Sequence, residues 1–316
     1  MIWLTWRQQR TETLIAALLL AVLAAVLIPT GLHVSSVYDR EGIAACLVRD
    51  AGGCPDALQA FSNRFDGLRA LVAWMTLLPA VLATLLAAPF AIELEQGTFR
   101  LAWTQSITRR RWLTTKLAMI AAGALVTTLI MSLLLTWWRI PFDRVDGRFE
   151  LGFESEGIVP FAYTAFAAAL VLAIAVVLRR TAPAIALALI GFIAARIVVG
   201  GFLRPHYLEP LSVTWSGDPS TSGPDLSRSW LITQDYSDAH GQPVANLASI
   251  VDACGSEVSA KLGDSTCLAA HGVFNHAVYH PGSRFWLFQG IEAAIFLGLA
   301  LALAGFTVWW VRSRVS

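Results

Sequence analysis

Residues 157–203 read GIVPFAYTAFAAALVLAIAVVLRRTAPAIALALIGFIAARIVVGGFL. The stretch is two apolar runs divided by Arg179 and Arg180. Gly157 to Leu178 carries no charge, and Thr181 to Leu203 carries only Arg196. Each run reaches the roughly 20 apolar residues that a helix needs to cross about 30 Å of hydrocarbon. Neither alternates apolar and polar residues, as a strand of a membrane barrel would. Thr181, Ala182 and Pro183 follow the arginines directly, so the connection is a tight turn.

Working outward, four more stretches have the same character. Leu14–Leu32, Ala70–Ile92 and Leu117–Trp138 are uncharged, and Phe285–Val311 contains only Glu292. The whole chain of 316 residues is 56% hydrophobic and 14% charged. Its mean hydropathy is +0.60. Soluble domains carry about 25% charged residues, so this composition excludes them, and it excludes disorder and coiled coil as well. The first run is longer than the roughly 7–15 apolar residues of a signal peptide and lacks a clean cleavage site, so it reads as a retained span. The expected fold is all-α integral membrane, a single membrane domain over 1–316. Its spans are expected at about 14–34, 69–92, 117–138, 157–178, 182–203 and 285–311.

Six spans put both termini on one side. Segments 1–13, 93–116, 179–180 and 312–316 then hold 11 basic and three acidic residues, a balance of +8. Segments 33–69, 139–156 and 204–284 hold 11 basic and 18 acidic residues, a balance of −7. Arg196 and Glu292 cancel within the spans, which leaves the formal net charge of +1. The short basic segments read as cytoplasmic by the positive-inside rule, and the long loops as external. The four cysteines, Cys46, Cys54, Cys254 and Cys267, all fall in external segments. That suits disulfides in an oxidising compartment. Three pairings are possible. The local ones, Cys46–Cys54 and Cys254–Cys267, are preferred because each closes a short ring within one loop.

Residues 2–12 mix Trp3 and Trp6 with Arg7 and Arg10 and read as a short interfacial helix. Nine tryptophans, Trp112, Trp137, Trp138, Trp286, Trp309 and Trp310 among them, lie near span ends or in the short inner segments, as anchors at the membrane surface do. Segment 33–69 reads as a modest outer loop. Segment 204–284 is the one large polar piece, with six prolines. Within it, 215–228 reads as loop and 246–262 as a short helix. His271, His276 and His280 lie in it just before the last span; a helix would align His276 with His280, but three or four converging metal ligands are lacking, so no metal site is expected there. No internal repeat supports an inverted-repeat transporter.

Enzyme signatures are missing. There is no G-x-x-x-x-G-K-[ST], H-E-x-x-H or G-x-S-x-G. The two charges inside spans are costly alone in hydrocarbon. Arg196 lies seven residues before Leu203, and Glu292 seven after Phe285. Antiparallel neighbours would place them at one depth, so an Arg196–Glu292 pair or a shared polar cavity is expected.

Segment 89–117 reads PFAIELEQGTFRLAWTQSITRRRWLTTKL. Pro89 can bend the span end. Gly97 permits a turn, and Thr98 can cap a new short helix carrying Phe99 and Trp103. Thr108 can cap the next helix, with Arg109, Arg110 and Arg111 at the headgroups. The pattern E-x-E-x-G-T, a short helix, then [ST]-R-R-x-W-x-x-x-K resembles the permease subunits of type-2 ATP-binding-cassette exporters. The opening IWLTWRQ is similar to actinobacterial members. The chain departs from one common pattern, with Phe99–Arg100 where an acid often follows Thr98 and no proline before the Thr-Arg run.

The resemblance implies that 93–108 is a coupling helix seated on a separate ABC-type ATPase. Glu93, Glu95, Gly97, Thr98, Phe99, Arg100 and Trp103 would be the coupling residues. It implies two ATPases with a second permease copy or paralogue, and ATP and Mg on the partner rather than cofactors in this chain. It implies no nucleic-acid partner and a place in the bacterial inner membrane. Segment 204–284 is similar to the extracellular cap of one subfamily, with its re-entrant helices and disulfides. Export of an amphipathic or apolar drug, peptide or lipid by alternating access is the reading. The rivals are a non-transporting sensor or immunity-type protein that binds a peptide through 204–284, and an intramembrane enzyme.

Overall fold

The computed structural model describes residues 2–49, 54–99, 108–149, 152–216, 223–255 and 265–314. For 2–9, 48–49, 54–55, 72–73, 109, 255 and 265–266 it describes the backbone alone. Helix α1 spans Ile2–Arg40, followed by the short helices α2 (Ile43–Arg49), α3 (Cys54–Arg64) and α4 (Asp66–Trp74). A 3₁₀ turn at Met75–Leu77 leads into α5 (Leu78–Gln96). The helices α6 (Arg109–Val145), α7 (Val159–Leu178) and α8 (Thr181–Val198) complete the first five crossings, and α11 (Phe285–Arg314) makes the sixth.

Between α8 and α11 lie β1 (Leu211–Trp215), β2 (Trp230–Ser237), α9 (Leu247–Gly255), α10 (Ser265–Ala270) and β3 (Phe274–His280). The strands form one antiparallel sheet in the order β1-β3-β2, with Leu211 opposite Tyr279 and Ser237 opposite Phe274.

Among the described residues, six helices are long and apolar enough to cross a membrane. Large apolar side chains such as Leu14, Leu18, Leu125, Leu133, Ile190, Ile197 and Leu301 face outward. Water would penalise each exposed side chain of this size by about 1.5–3 kcal/mol relative to burial. Lipid removes that penalty, and the chain is a multi-pass membrane protein. Helix α7 is the axis of the bundle: 67% of its apolar window is buried in the protein, against 22–38% for the other spans. Its buried positions include Ala162, Ala167, Ala168, Ala169, Ala173 and Ala175. Small residues let neighbouring helices approach closely, the main packing force in lipid. Thr128 of α6 donates to Thr164 of α7 across 2.9 Å in the same interface.

Several sequence expectations are corrected. The helix expected over 2–12 is helical but runs without a break into the first span, as part of the 39-residue α1. Segment 33–69 is largely helical, because α1 continues to Arg40 and α2–α4 follow. Tyr38, Ile43, Phe61, Phe65 and Phe142 bury one apolar cluster there. Segment 204–284 carries a three-stranded sheet that the sequence reading did not foresee, within a mostly helical fold that fits an all-α integral membrane protein. His276 and His280 sit on β3, where the residue period of two decides their facing, and not on a helix. Of the helix foreseen over 246–262, Leu247–Gly255 is present as α9, and 256–262 lie outside the described residues.

The sheet seats on the bundle through an aromatic group. Trp230 of β2 stacks on Phe149, with ring centroids 5.9 Å apart. His280 packs on Phe288 at 4.7 Å. The His280 Nε2–H donates to the Pro205 carbonyl at 3.1 Å, while Arg284 donates to Nδ1 at 3.0 Å. Burial holds His280 below its usual pKa, and the neutral ring fits both bonds. Cys254 and Cys267 are joined by a disulfide, as the local pairing required. Cys46 is also disulfide-bonded. The side chain of Cys54, its expected partner, lies outside the described residues.

Candidate functional site

Among the described residues, a polar assembly interrupts the apolar bundle at each end of α8. The first gathers where α5, α6 and α8 meet. Helix α5 ends at Gly97, whose φ of +70° is the left-handed conformation that terminates helices and that glycine alone adopts freely. Thr108 caps α6, its side chain accepting from the Arg111 amide at 3.3 Å. Phe99 returns toward the bundle and buries against Trp112, with centroids 6.3 Å apart, and Trp112 stacks on Phe90 at 5.5 Å.

Glu93 is buried and accepts from Lys116 of α6 at 2.5 Å. Glu95, two residues beyond, is exposed and accepts from the backbone amide of Thr181 at 2.9 Å. A carboxylate at the first turn of α8 meets the positive end of the helix dipole. The two glutamates therefore face different neighbours, because residues two apart on a helix do not share a face.

Of the residues expected to couple, Glu93 and Phe99 point into the chain's own core, and Glu95 and Thr98 are exposed. Arg100 and Trp103 lie outside the described residues, and so do the side chains of Trp3, Trp6, Arg7 and Arg109. Arg110 and Arg111 are exposed. Trp112 and Trp138 are each 2% exposed, which corrects their assignment as surface anchors: they fill helix interfaces. Trp286 and Trp309 remain outward-facing.

The second assembly lies at the other end of α8. Glu292 of α11 is fully buried. Arg204 embraces it with two bonds, Nε to Oε2 at 2.8 Å and Nη2 to Oε1 at 2.7 Å. Tyr163 of α7 donates to Oε1, and Tyr207 donates to Oε2 at 3.2 Å. Arg204 also reaches Glu154 at 3.1 Å, and its guanidinium lies 4.2 Å from the Phe153 ring centre. Arg196 pairs with the other oxygen of Glu154 and donates to the Thr76 carbonyl at 3.0 Å.

The direct Arg196–Glu292 pair is thus overturned. The two residues share one chain of charges, Arg196–Glu154–Arg204–Glu292, but each binds a different partner. Two cations and two anions cancel, as buried charges in lipid must. The sequence placed Arg204 and Glu154 in outer loops, one step beyond the spans, and so missed them. The detectable signal was spacing: Arg196 and Arg204 are eight residues apart, about two helical turns, and so share a face. A π-type turn at Val199–Leu203 and a 3₁₀ turn at Arg204–His206 extend α8 far enough to deliver the second arginine.

Gln289, one turn before Glu292, was missed as well. Its side-chain carbonyl accepts from the amides of Ile158 and Val159 at 3.1 and 3.0 Å, capping α7 from α11. Gly157 makes this possible: its φ is +68°, and a Cβ there would come within 2.8 Å of the Gln289 oxygen.

A surface pocket of about 480 Å³ opens beside the charge chain, lined by Leu77, Ile193, Ile197, Gly200 and Gly201 with Glu154, Arg196 and Arg204. Apolar walls with a few convergent charges are the usual character of a small-molecule site. Nearby, Arg139 serves two buried carboxylates, Glu156 at 2.6 Å and Asp143 at 2.9 Å. Burial, then the neighbouring Asp143, pushes Glu156 up to about 8.

Neither the curated proteins nor the solved structures yield a significant match. A family model described as ABC-2 membrane transporter related matches residues 17–204, more than half of the chain, covering five spans and both polar assemblies except Tyr207 and Glu292. The chain belongs to the ABC-2 membrane transporter related family.

Proposed function

We propose that this chain is the permease subunit of an ABC exporter, driven by ATP hydrolysis on a separate subunit. The observation that carries the proposal is the way segment 97–108 is tied to the bundle. Its flanks are fastened to three spans at once: Glu93 to Lys116, Phe99 to Trp112, and Glu95 to the start of α8. A displacement of 100–107 by a docked ATPase would therefore shift α5, α6 and α8 together. Helix α8 runs about 27 Å at 1.5 Å per residue over its 18 residues. Its far end bears Arg196, the wall of the pocket. Energy would enter at one end of α8 and reshape the pocket at the other.

In this reading the basic end faces the cytoplasm and the sheet-bearing cap lies outside. The pocket is the substrate path, suited to an amphipathic molecule with an apolar body. Two permease units and two ATPases make the working assembly. Reconstitution with the partner ATPase in sealed vesicles, using fluorescent amphipathic dyes and a labelled phospholipid as probes, tests it. ATP-driven movement of at least one probe that is lost in Arg196→Met supports the reading. ATP hydrolysis with no probe moved, or movement unaffected by that substitution, counts against it.

A further inference from the structure

The cap holds a second chemical constellation that transport does not require. The His271 Nδ1 lies 3.9 Å from the Cys254 sulfur and 3.8 Å from the Cys267 sulfur. Among the described residues this is the one group of three metal-type ligands whose donor atoms lie within 4.8 Å of one another. As a disulfide the two sulfurs are poor ligands, because a metal binds thiolates.

We propose that Cys254, Cys267 and His271 form a redox-gated site for a thiophilic divalent ion of the zinc class, opened when an external dithiol reduces the disulfide. The geometry is favourable. Zinc–sulfur bonds of about 2.3 Å and zinc–nitrogen bonds of about 2.0 Å set a sulfur–nitrogen edge near 3.5 Å in a tetrahedral site. The observed separations are within a few tenths of an ångström of that edge. Only the two sulfurs must part, to roughly 3.8 Å, once they are no longer bonded.

The scaffold does not depend on the disulfide alone. Cys254 is buried in an apolar cluster with Leu268 and Val273, against which Val244, Ile250 and Val251 pack. Cys267 and His271 are one helical turn apart, and the His271 amide donates to the Cys267 carbonyl at 3.1 Å. Packing on one side and the turn on the other keep the three donors near one another after reduction. His271 is exposed, which gives the ion an entry path and leaves solvent as the fourth ligand. The Nδ1 atom also lies 2.9 Å from the Cys267 carbonyl, a contact it gives up on binding metal. That exchange costs about 1 kcal/mol, small against a metal–imidazole bond.

The chemistry balances. One thiolate of the dithiol attacks the Cys267 sulfur, the more accessible of the two, and Cys254 leaves as a thiolate. The second thiol of the reductant then displaces Cys267 and closes its own disulfide. Two electrons pass to the chain, with two protons that end on its cysteines. The ion displaces both protons as it binds.

The test uses the full-length chain in nanodiscs with Cys46 and Cys54 replaced by serine, so that one disulfide remains. The protein is reduced, freed of reductant under nitrogen and titrated with cobalt(II). One cobalt per chain with tetrahedral thiolate bands is expected after reduction and none before it. His271→Ala, an exposed substitution, should weaken binding at least about tenfold, since even the loss of a group that merely supports a ligand costs that much. Cys254→Ser with Cys267→Ser should abolish the bands. The proposal is overturned by equal cobalt binding to the oxidised chain, by no binding to the reduced one, or by a His271→Ala affinity within tenfold of the parent.

Discussion

Replacing Glu292 with glutamine removes one charge from a neutral set of four, of which it is the fully buried member, and leaves the shape unchanged. Glu292 has no exposed surface and receives two bonds from Arg204 and one each from Tyr163 and Tyr207. An amide can accept through one atom only, so at least one of these donors then faces an NH₂ group. Breaking a buried ion pair costs about 3–5 kcal/mol, because the surviving charge is left in a low-dielectric site. Glu154 stays 3.1 Å from Arg204 and offsets part of that, so the lower end of the range applies. About 3 kcal/mol, near a 150-fold change in the unfolding constant, is expected for Glu292→Gln, and a similar loss for Arg204→Met. The double variant Arg204→Met with Glu292→Leu is again neutral in charge. It should fall within about 1 kcal/mol of the parent, a coupling of several kcal/mol across one contact. Unfolding by SDS in bicelles, followed by tryptophan fluorescence, reads all three. Single variants within 1 kcal/mol of the parent, or a double variant equal to the sum of the singles, would refute the reasoning.

Three other outcomes follow from the same structure. Glu156 is raised from its ordinary value of 4.5 to about 8, so its proton favours the folded state. That stabilisation is complete below pH 4.5 and is lost as pH rises to 8; melting in detergent should show this decline, and Glu156→Gln should flatten it. Glu95→Ala should leave the melting temperature unchanged while ATP-driven turnover of the reconstituted assembly falls, since only the link to Thr181 is cut; a normal turnover would exclude that link from coupling. Cys254→Ser with Cys267→Ser reopens a ring of sequence separation 13 and should destabilise the cap by about 3 kcal/mol, visible as faster amide exchange in β3, with the spans unaffected.

The bundle was legible because hydrocarbon imposes a coarse rule: six long apolar runs are visible without any partner residue being known. The rule works on length, so it misplaced ends. It stopped the first span near residue 34, whereas α1 runs to Arg40, since a polar helical turn at the membrane surface has no hydropathy signal. The Gly97 break and the Thr108 cap were readable because each depends on local backbone chemistry. The partners of Arg196 and Glu292 were not readable. They depend on which helix faces turn together, and the arginine that binds Glu292 lies in a 3₁₀ turn just beyond the end of the apolar run. The sheet escaped for a related reason. β1 and β2 are short, separated by a stretch of sequence rich in Pro, Gly and Ser, and each pairs with β3, which lies more than thirty residues beyond either of them, so no local pattern announces them.

The central claim is that a separate ATPase drives this chain through the segment that follows α5. Purification of the tagged chain from its native membrane, with identification of what accompanies it, tests that claim most directly. An ABC-type ATPase should be recovered in near-equal amount, and Trp103→Ala with Arg100→Ala should release it while the chain itself stays folded. Recovery of the intact, folded chain with no ATPase, or an ATPase retained unchanged by those substitutions, would contradict the account.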